Sequence, residues 1–234
     1  MPRLIAALVR HGAYRQLADT PSAHQPFPLV AEGARQAQAG GAWLRQQLLE
    51  QQLTLCPQVD SSRLLRAWQT AQLMLEPLQR SFAEPPEIEC FDDLAERCVG
   101  SLANLSIAQI EAVVREDPRY PPLPPNWKSD SRFRLPLQGA ESLLEAGERV
   151  AEHLRGRMAA LAASAAGDTL KLFVGHGAAF RHAAYHLGVL DFGDLARLSM
   201  HHAHPVLIEY RPEGNWRHVG GEWKIRTRAA LRMD

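Results

Sequence analysis

Two histidines follow strand-like segments in the same way. His11 comes one residue after the apolar run 4–9, and His176 comes one residue after the segment 169–174, which is apolar except for Thr169 and Lys171. Continuous apolar runs of this length are typical of buried strands, and a histidine at the end of a strand can act as a nucleophile. Adjacent parallel strands would bring the two imidazoles together. The ordinary alternative is two core or loop histidines whose hydrogen bonds are satisfied.

A glycine follows each histidine, Gly12 in the first case and Gly177 in the second. Glycine removes a side chain where backbone must come close to a ligand. We therefore expect both glycines to lie in a binding site.

Three charged residues could complete a site for a phosphoryl group. Arg10 directly precedes the first histidine, and Arg66 lies in the segment 62–71. The planar guanidinium fork binds phosphate through paired charge-assisted hydrogen bonds. Glu96 could donate and accept protons. Each has a plainer alternative, since Arg66, like Arg63, could be an exposed helix arginine and Glu96 a solvated acid.

The cluster His201, His202 and His204 invites a metal-binding interpretation. Its spacing differs from the i, i+4 helical pair of zinc hydrolases. We expect no metal site, and favour His202 or His204 as part of a pocket wall.

Strands and helices alternate along the chain. Apolar patterning predicts strands at 4–9, 56–60, 87–91, 169–174 and 205–210, and helices at 31–50, 63–80, 141–166 and 178–187. Ser61 or Ser62 is a candidate cap for the second helix, and 205–210 is expected to be the last strand. This alternation predicts an α/β fold, a three-layer α/β/α sandwich with a mostly parallel central sheet, in which ligands bind at the carboxyl ends of the strands.

The segment 117–138 holds six of the chain's 16 prolines and cannot be a regular helix. We expect an insertion or lid within one domain spanning 1–234. Substrate choice would then lie with side chains that cover the pocket: Trp127, Lys128, Arg132, Phe133 and Arg134. The alternative is a proline-braced surface loop.

Composition argues against several classes of protein. Lys plus Arg equals Asp plus Glu at 26 each, so no overall charge favours a nucleic acid or an anionic membrane as partner. The first apolar run is too short to span a membrane. Three cysteines without CxxC spacing argue against a disulfide framework or zinc site, and we expect a cytoplasmic protein. Trp43 and Trp68 belong either to the core or to a homodimer interface.

The ordered set of motifs resembles the histidine phosphatase superfamily, the phosphoglycerate mutase-like proteins of the branch with the RHG motif. The similar segments are Arg10-His11-Gly12, 28–33 with Gln36-Ala37, 62–71, 94–97 with Gly100, Glu141-Ser142 and His176-Gly177. Single motifs of this kind are weak, but together they cover nearly the whole chain in order. The resemblance implies a phosphoglycerate mutase-like fold.

The resemblance also implies roles for individual residues. His11 would be the nucleophile that becomes phosphohistidine, and Arg10, Arg66 and His176 would hold the phosphoryl oxygens. Glu96 would be the proton donor and acceptor. Neither a metal nor an organic cofactor is implied. The remaining residues expected to bind substrate are Gly12, Tyr14, Arg15, Gln16, Gly177, His202 and His204.

The chain departs from the mutase pattern at several positions. Ala13-Tyr14 replaces the Glu-Ser that follows the first His-Gly, and Ala178 replaces the Asn after the second. A Tyr and a substrate-binding Lys that follow the acid correspond to Val99 and Ile107. These losses favour hydrolysis, because a mutase must keep phosphohistidine away from water.

We therefore predict a metal-independent phosphomonoester hydrolase of histidine acid phosphatase type that acts on a small phosphorylated substrate. The first alternative is a phosphoglycerate-type phosphomutase. The second is a catalytically silent phosphate-binding or interaction protein.

Overall fold

A central sheet with helices on both faces forms the body of the computed structural model, which describes residues 2–226. The strands are β1 (Leu4–Arg10), β2 (Thr54–Leu55), β3 (Gln58–Ser62), β4 (Glu87–Phe91), β5 (Thr169–Gly175), β6 (Leu198–Met200), β7 (Val206–Glu209), β8 (Arg217–Gly220) and β9 (Trp223–Ile225). The α-helices are α1 (Ala31–Glu50), α2 (Leu65–Leu78), α3 (Ile107–Glu116), α4 (Leu143–Ser164), α5 (Gly177–His186) and α6 (Asp194–Arg197). The domain predicted over 1–234 also includes residue 1 and residues 227–234, which lie outside the described residues.

The main sheet has the strand order β4-β3-β5-β1-β7-β8, and β2 also pairs with β5. The pairs β1/β5, β3/β5 and β3/β4 are parallel, whereas β7 and β8 continue the sheet with antiparallel pairing. β6 and β9 form a separate two-stranded sheet. The prediction of a mostly parallel central sheet is confirmed.

Successive residues of β1 face opposite helical layers. Leu8 packs in a cluster with Leu154 of α4 and Phe180 of α5, whereas Val9 packs in a second cluster with Leu44 of α1. This two-residue period is the one that a strand buried on both faces requires. The three layers predicted from the sequence are therefore present, and β1 lies in the middle layer.

One strand boundary differs from the prediction and changes a cap. The second predicted strand lies at Gln58–Ser62 instead of 56–60, because its pairing with β4 continues to Ser62. Ser61 and Ser62 are thus strand residues, and the predicted helix cap at this point is wrong. α2 begins only at Leu65, without a side-chain cap hydrogen bond.

The prediction also missed elements near the edges of the fold. The strand 205–210 is not the last one, since β8 and β9 follow it. α3 was not predicted, although a capping box formed by Ser106 and Gln109 marks its start. A similar box at Ser142 marks the start of α4, which begins at Leu143 and not at the predicted residue 141. Within 2–226, no helix is long and apolar enough to cross a membrane.

The proline-rich segment 117–138 runs between α3 and α4 and contains neither helix nor strand, as predicted. Trp127 anchors it, because this side chain is buried in a third apolar cluster and its Nε1 donates to Glu111 Oε1 at 3.1 Å. Trp127 is therefore a core residue of the segment and not a pocket cover.

Candidate active site

The ends of β1 and β5 bring the two predicted histidines together. The parallel register pairs Arg10 with Gly175, so His11 and His176 follow at the same edge of the sheet. Their ring centroids are 5.1 Å apart and the rings are tilted by 59°. The expectation that adjacent parallel strands would join the imidazoles is confirmed.

His11 is held as a neutral imidazole with a defined tautomer. Its Nδ1 lies 2.8 Å from the carbonyl oxygen of Gly12, which can only accept, so Nδ1 carries the proton. Burial, followed by the positive charges of Arg66 and Arg10, holds the pKa of His11 well below its ordinary value. The lone pair is therefore on Nε2, which is the condition for nucleophilic attack.

His176 has both ring nitrogens engaged. The Nη2 of Arg66 lies 3.2 Å from Nδ1, and Nε2 lies 3.0 Å from Ser62 Oγ. Since a guanidinium only donates, Nδ1 accepts and Nε2 carries the proton. Burial and the charge of Arg66 hold the pKa of His176 well below its ordinary value as well. The N–H expected to face a phosphoryl group is directed to Ser62 instead.

Arg66 is fully buried, and it donates hydrogen bonds to backbone carbonyls of the segment that covers it. Its Nη1 donates to the carbonyl of Gln25 at 2.7 Å. Its Nη2 donates to the carbonyls of Ser22 at 2.7 Å and Ala23 at 2.9 Å. Arg66 Nε is buried with no hydrogen-bond partner among the described residues. Arg66 is thus not an exposed helix arginine.

His11 lines a cavity of about 390 Å³, a volume that includes space open to solvent. The lining residues are Arg10, His11, Gln16, Ser22, Glu96, Gly177, Ala178, Arg181, Ser199 and Arg226. Arg10 also donates from Nη1 to the carbonyl of Met200 at 3.1 Å. An imidazole, a guanidinium and a carboxylate therefore meet at one cavity.

Glu96 is fixed by three backbone N–H groups. Its Oε1 accepts from Arg97 at 3.0 Å and from Ala179 at 3.1 Å, and its Oε2 accepts from Ala178 at 3.3 Å. Two of these donors belong to the first turn of α5, where unpaired N–H groups favour a carboxylate. Glu96 is thus held beside the cavity and is not a freely solvated acid.

The other predicted substrate-binding residues fall into two groups. The ring of Tyr14 meets the ring of His11 edge-on at 5.1 Å, and the ring of His202 lies 5.9 Å from it. By contrast, Arg15 is exposed and stacks over a phenylalanine ring, and His204 packs on Trp43 with the ring centroids 4.9 Å apart. The structure therefore does not bring Arg15 and His204 to the histidine pair.

Neighbouring protein atoms occupy the space that a side chain would need at each of the two glycines. A Cβ on Gly12 would collide with the backbone of Gly33 at the start of α1, and a Cβ on Gly177 would collide with the side chain of Arg10. The N–H of Gly12 donates to Thr70 Oγ1 at 3.0 Å. The close approach inferred from the sequence is therefore made by the protein's own chain, although Gly177 still lines the cavity.

Among residues 2–226, no group of three or more His, Cys, Asp or Glu side chains is arranged to hold a metal ion. In the cluster 201–204, the rings of His201 and His204 lie near each other with centroids 6.2 Å apart, while His202 turns toward His11. The three histidine rings thus do not converge on one point.

A family model of the histidine phosphatase superfamily (branch 1) matches residues 6–220. The chain belongs to this superfamily. A sequence comparison with curated proteins found no match.

Solved structures share the fold of this superfamily member at low sequence identity. Phosphoglycerate mutase from Bacillus anthracis is 18% identical with a TM-score of 0.68, covering 93% of this chain and 92% of its own. A mycobacterial glucosyl-3-phosphoglycerate phosphatase is 22% identical with a TM-score of 0.64, covering 93% and 96%. The α-ribazole phosphatase from Shigella flexneri is 17% identical with a TM-score of 0.64, covering 94% and 95%. These likenesses establish a phosphoglycerate mutase-like fold.

Sequence reasoning missed Arg149, which together with Glu141 holds the segment that carries the predicted acid. Arg149 of α4 forms a two-pronged ion pair with Glu141, with both N···O distances at 2.8 Å. Its Nη1 also donates to the carbonyls of Asp93 at 2.7 Å and Ala95 at 3.2 Å. Glu141 in turn accepts from the N–H of Cys98 at 3.0 Å. The backbone is therefore held on both sides of Glu96. Glu141 belongs to a recognised motif, but nothing in the sequence singles out Arg149 from the other helix arginines.

The proline-rich segment contributes less to the site than predicted. Lys128 lines a second cavity that adjoins the one at His11. Arg132 instead stacks over the ring of Phe192 at 4.1 Å, and Arg134 pairs with Glu145 at 3.1 Å. Phe133 packs against the third apolar cluster. Of the five side chains considered from the sequence, Lys128 is the one placed at a cavity beside the site.

Proposed function

We propose that this protein is a metal-independent phosphomonoester hydrolase that works through a phosphohistidine on His11. The observation that carries the proposal is the fixed, neutral imidazole of His11 beside a cavity that also holds Arg10 and Glu96. Such an imidazole can attack phosphorus without first losing a proton. The substrate is a small phosphorylated molecule, in keeping with cavities of a few hundred Å³.

In the first step, His11 Nε2 attacks the phosphorus atom and the ester P–O bond breaks. Protonated Glu96 gives its proton to the leaving oxygen, so an alcohol departs. Arg10 and the buried guanidinium of Arg66 supply the positive charge that phosphoryl transfer needs. These two fixed cations occupy the role that a metal ion fills in other phosphatases.

In the second step, water attacks the phosphohistidine and the P–N bond breaks. The Glu96 carboxylate takes a proton from that water, and inorganic phosphate leaves. His11 regains its lone pair on Nε2, and Glu96 regains its proton for the next turnover. General acid and base service of this kind is worth about 10²–10⁴-fold in rate.

Hydrolysis is favoured over mutase chemistry by the residues at two positions of the mutase pattern that follow Glu96 in the sequence. Val99, which stands where the mutase pattern has a tyrosine, is buried and lines the adjoining cavity. Ile107 begins α3 and supplies no charge where the pattern has a lysine. The proposed site therefore lacks two polar groups that would retain a phosphoglycerate while it reorients.

The proposal is tested by measuring inorganic phosphate released from a panel of phosphomonoesters with excess chelator present. Wild type and His11→Ala are compared on each ester. Chelator-resistant release that is lost in His11→Ala is expected. Exchange of phosphate between positions of one substrate without net release would identify a mutase. Binding of phosphoesters without turnover would identify a silent binding protein.

A further inference from the structure

The peptide unit between Gly12 and Ala13 holds His11 on one side and a glutamine on the other. Its carbonyl, which belongs to Gly12, accepts from His11 Nδ1 at 2.8 Å. Its N–H, which belongs to Ala13, donates to Gln36 Oε1 at 2.9 Å. A trans peptide unit is planar, so its C=O and N–H point in opposite directions. Gln36 therefore fixes the orientation of the carbonyl that sets the proton on His11.

Two further hydrogen bonds hold this turn, but they act on the neighbouring peptide units. The N–H of Gly12 belongs to the preceding unit and donates to Thr70 Oγ1 at 3.0 Å. The carbonyl of Ala13 belongs to the following unit and accepts from the N–H of Val30 at 3.0 Å. Of these three partners, Gln36 is the one that contacts the peptide unit bound by the nucleophilic imidazole.

Glu32 fixes which way the amide of Gln36 faces. Gln36 Nε2 donates to Glu32 Oε1 at 3.3 Å, one turn earlier on α1. A backbone N–H only donates and an ionised carboxylate only accepts, so the amide turns Oε1 to Ala13 and Nε2 to Glu32. Glu32 is held in turn by Arg35, whose Nη2 lies 2.6 Å from Oε2. Both ends of the Gln36 amide are thus specified by the protein.

The donors of this network all point away from His11. Nδ1–H donates to the peptide carbonyl, the peptide N–H donates to Gln36, and the amide of Gln36 donates to Glu32. Hydrogen bonds arranged in one direction polarise one another, and a carboxylate stands at the far end of this chain. When Nε2 bonds to phosphorus in the proposed hydrolysis, the ring becomes positively charged. The direction of the chain stabilises that charge.

Close packing of the turn against α1 makes the contact with Gln36 precise. A Cβ on Gly33 would collide with the backbone of Ala13, and a Cβ on Gly12 would collide with the backbone of Gly33. The turn therefore lies directly on the first turn of α1, with no side chain between them. Gln36 follows on the second turn and is partly buried. A group supplied by a packed helix is placed more precisely than one supplied by a loop.

We propose that Gln36 is a positioning residue for His11. It holds the peptide unit so that the proton stays on Nδ1 and the lone pair stays on Nε2. Without this anchor the peptide unit can rotate, and a proton that moves to Nε2 blocks attack on phosphorus. The inference rests on the proposed hydrolysis through His11. Gln36 is not among the residues that line the cavity at His11, so its effect is expected on turnover and not on substrate binding.

Two variants separate the hydrogen bond of Gln36 from its packing. Gln36→Leu keeps an apolar stem but has no acceptor, whereas Gln36→Glu keeps an oxygen that can accept from Ala13. Gln36→Leu is expected to lower kcat on one phosphomonoester by about 10–100-fold, because a misplacement of about 1 Å can cost 10²-fold. KM should stay within about twofold, since no contact with substrate is removed. Gln36→Glu should keep kcat within about threefold of wild type, because the acceptor remains.

Gln38→Leu is the matched control. Gln38 also lies on α1, and its Nε2 donates to Glu76 Oε2 of α2 at 2.9 Å on the exposed surface. The substitution removes an amide from the same helix without touching the turn after His11. Its kcat and KM should equal those of wild type.

Nitrogen NMR of protein with isotopically labelled histidine measures the tautomer of His11 directly and without substrate. The signals of His11 are assigned by their loss in His11→Asn. Wild type, Gln36→Glu and Gln38→Leu should each show a protonated Nδ1 and an unprotonated Nε2. In Gln36→Leu a measurable share of His11 should carry its proton on Nε2. A role of Gln36 in packing alone would leave this ratio unchanged.

An unchanged His11 tautomer in Gln36→Leu would overturn the inference whatever the value of kcat, and so would an unchanged kcat. Both results would leave hydrolysis through His11 intact. The inference is also overturned if Gln36→Glu or Gln38→Leu loses as much activity as Gln36→Leu, since the loss would then not come from the acceptor. Failure of wild type to release phosphate from any phosphomonoester would count against the proposed function itself and the inference with it.

Discussion

The ends of β1 and β5 have the same sequence pattern but hold their histidines in different ways. His11 has one nitrogen on the carbonyl of Gly12 and lines the cavity. His176 has both nitrogens engaged, one by Arg66 and one by Ser62. In the proposed mechanism the first ring therefore accepts the phosphoryl group and the second supports it. The two rings differ because distant elements supply the partners of His176.

The largest effect on phosphate release is expected when each of the two histidines is replaced in turn. His11→Asn keeps a polar side chain but removes the nucleophile, so phosphate release should fall to the background of the assay. His176→Asn should retain measurable turnover, with kcat lowered by about 10²–10³-fold, as for loss of one supporting group. Steady-state kinetics on one ester measures both. Equal residual activities would remove the distinction between the rings.

The next largest effect concerns Glu96, which the first turn of α5 holds beside the histidines. Glu96→Gln should lower the first-turnover rate on an alkyl phosphate by about 10²–10⁴-fold, because the leaving alkoxide then lacks a proton donor. Nitrophenyl phosphate needs no such donor, so its first-turnover burst should be much less affected. Rapid-quench measurement gives both rates. Equal losses on the two esters would argue against Glu96 as the acid.

A smaller effect on kcat is expected at Arg149, which holds the backbone of the segment that carries Glu96. Arg149→Gln should lower kcat by about 10–100-fold with little change in KM, because displacement of a catalytic group by about 1 Å can cost 10²-fold. Arg155→Gln is the control, since this arginine lies on the same helix and donates to the carbonyl of His186 at 2.6 Å, away from the site. Equal kcat values for the two variants would show that Arg149 does not position the acid.

The smallest effect is expected on the free energy of unfolding. It can be measured separately at a third buried histidine, His182. Burial, then the charge of Arg181, lowers the pKa of His182 to about 3, and His11 and His176 are lowered as well. The unfolded chain takes up these protons near pH 6.5, whereas the folded chain does not. The stabilisation is therefore complete above about pH 6.5 and is lost as the pH falls toward the folded pKa, by up to about 1.4 kcal/mol per pH unit and ring.

Denaturant unfolding at several pH values between 7.5 and 5 measures this loss. His182→Asn should show a shallower fall in the free energy of unfolding than wild type, because one of the three rings no longer contributes. Identical pH slopes for the two proteins would contradict the assignment of His182 as a buried neutral ring.

The sequence predicted those parts of the fold that local patterns determine. The run 4–9 and the alternating segment 87–91 became β1 and β4, and the pattern at 31–50 became α1 with the same bounds. The His-Gly pair after each central strand also predicted the meeting of the two rings. Each of these features depends on residues adjacent in the chain, so local reasoning reaches it.

The parts that could not be predicted depend on contacts between distant segments. Arg66 donates to carbonyls about 40 residues earlier in the chain, at 22–25, which no local pattern marks. Arg149 reaches the carbonyls of the segment before Glu96, and the spacing of helix arginines gives no sign of it. The second cavity likewise needs the proline-rich segment and the end of β9 to meet. Tertiary packing alone creates these partners.

The most direct test of the phosphohistidine mechanism is to trap the phosphoenzyme in wild type and His11→Ala. Enzyme mixed with a radiolabelled phosphomonoester is quenched within one turnover in alkali and digested, and the labelled peptide is identified. The mechanism predicts a label that is stable to alkali, labile to acid and located on His11, with no labelled peptide from His11→Ala. A label on another residue, or equal labelling of the two proteins, would contradict it.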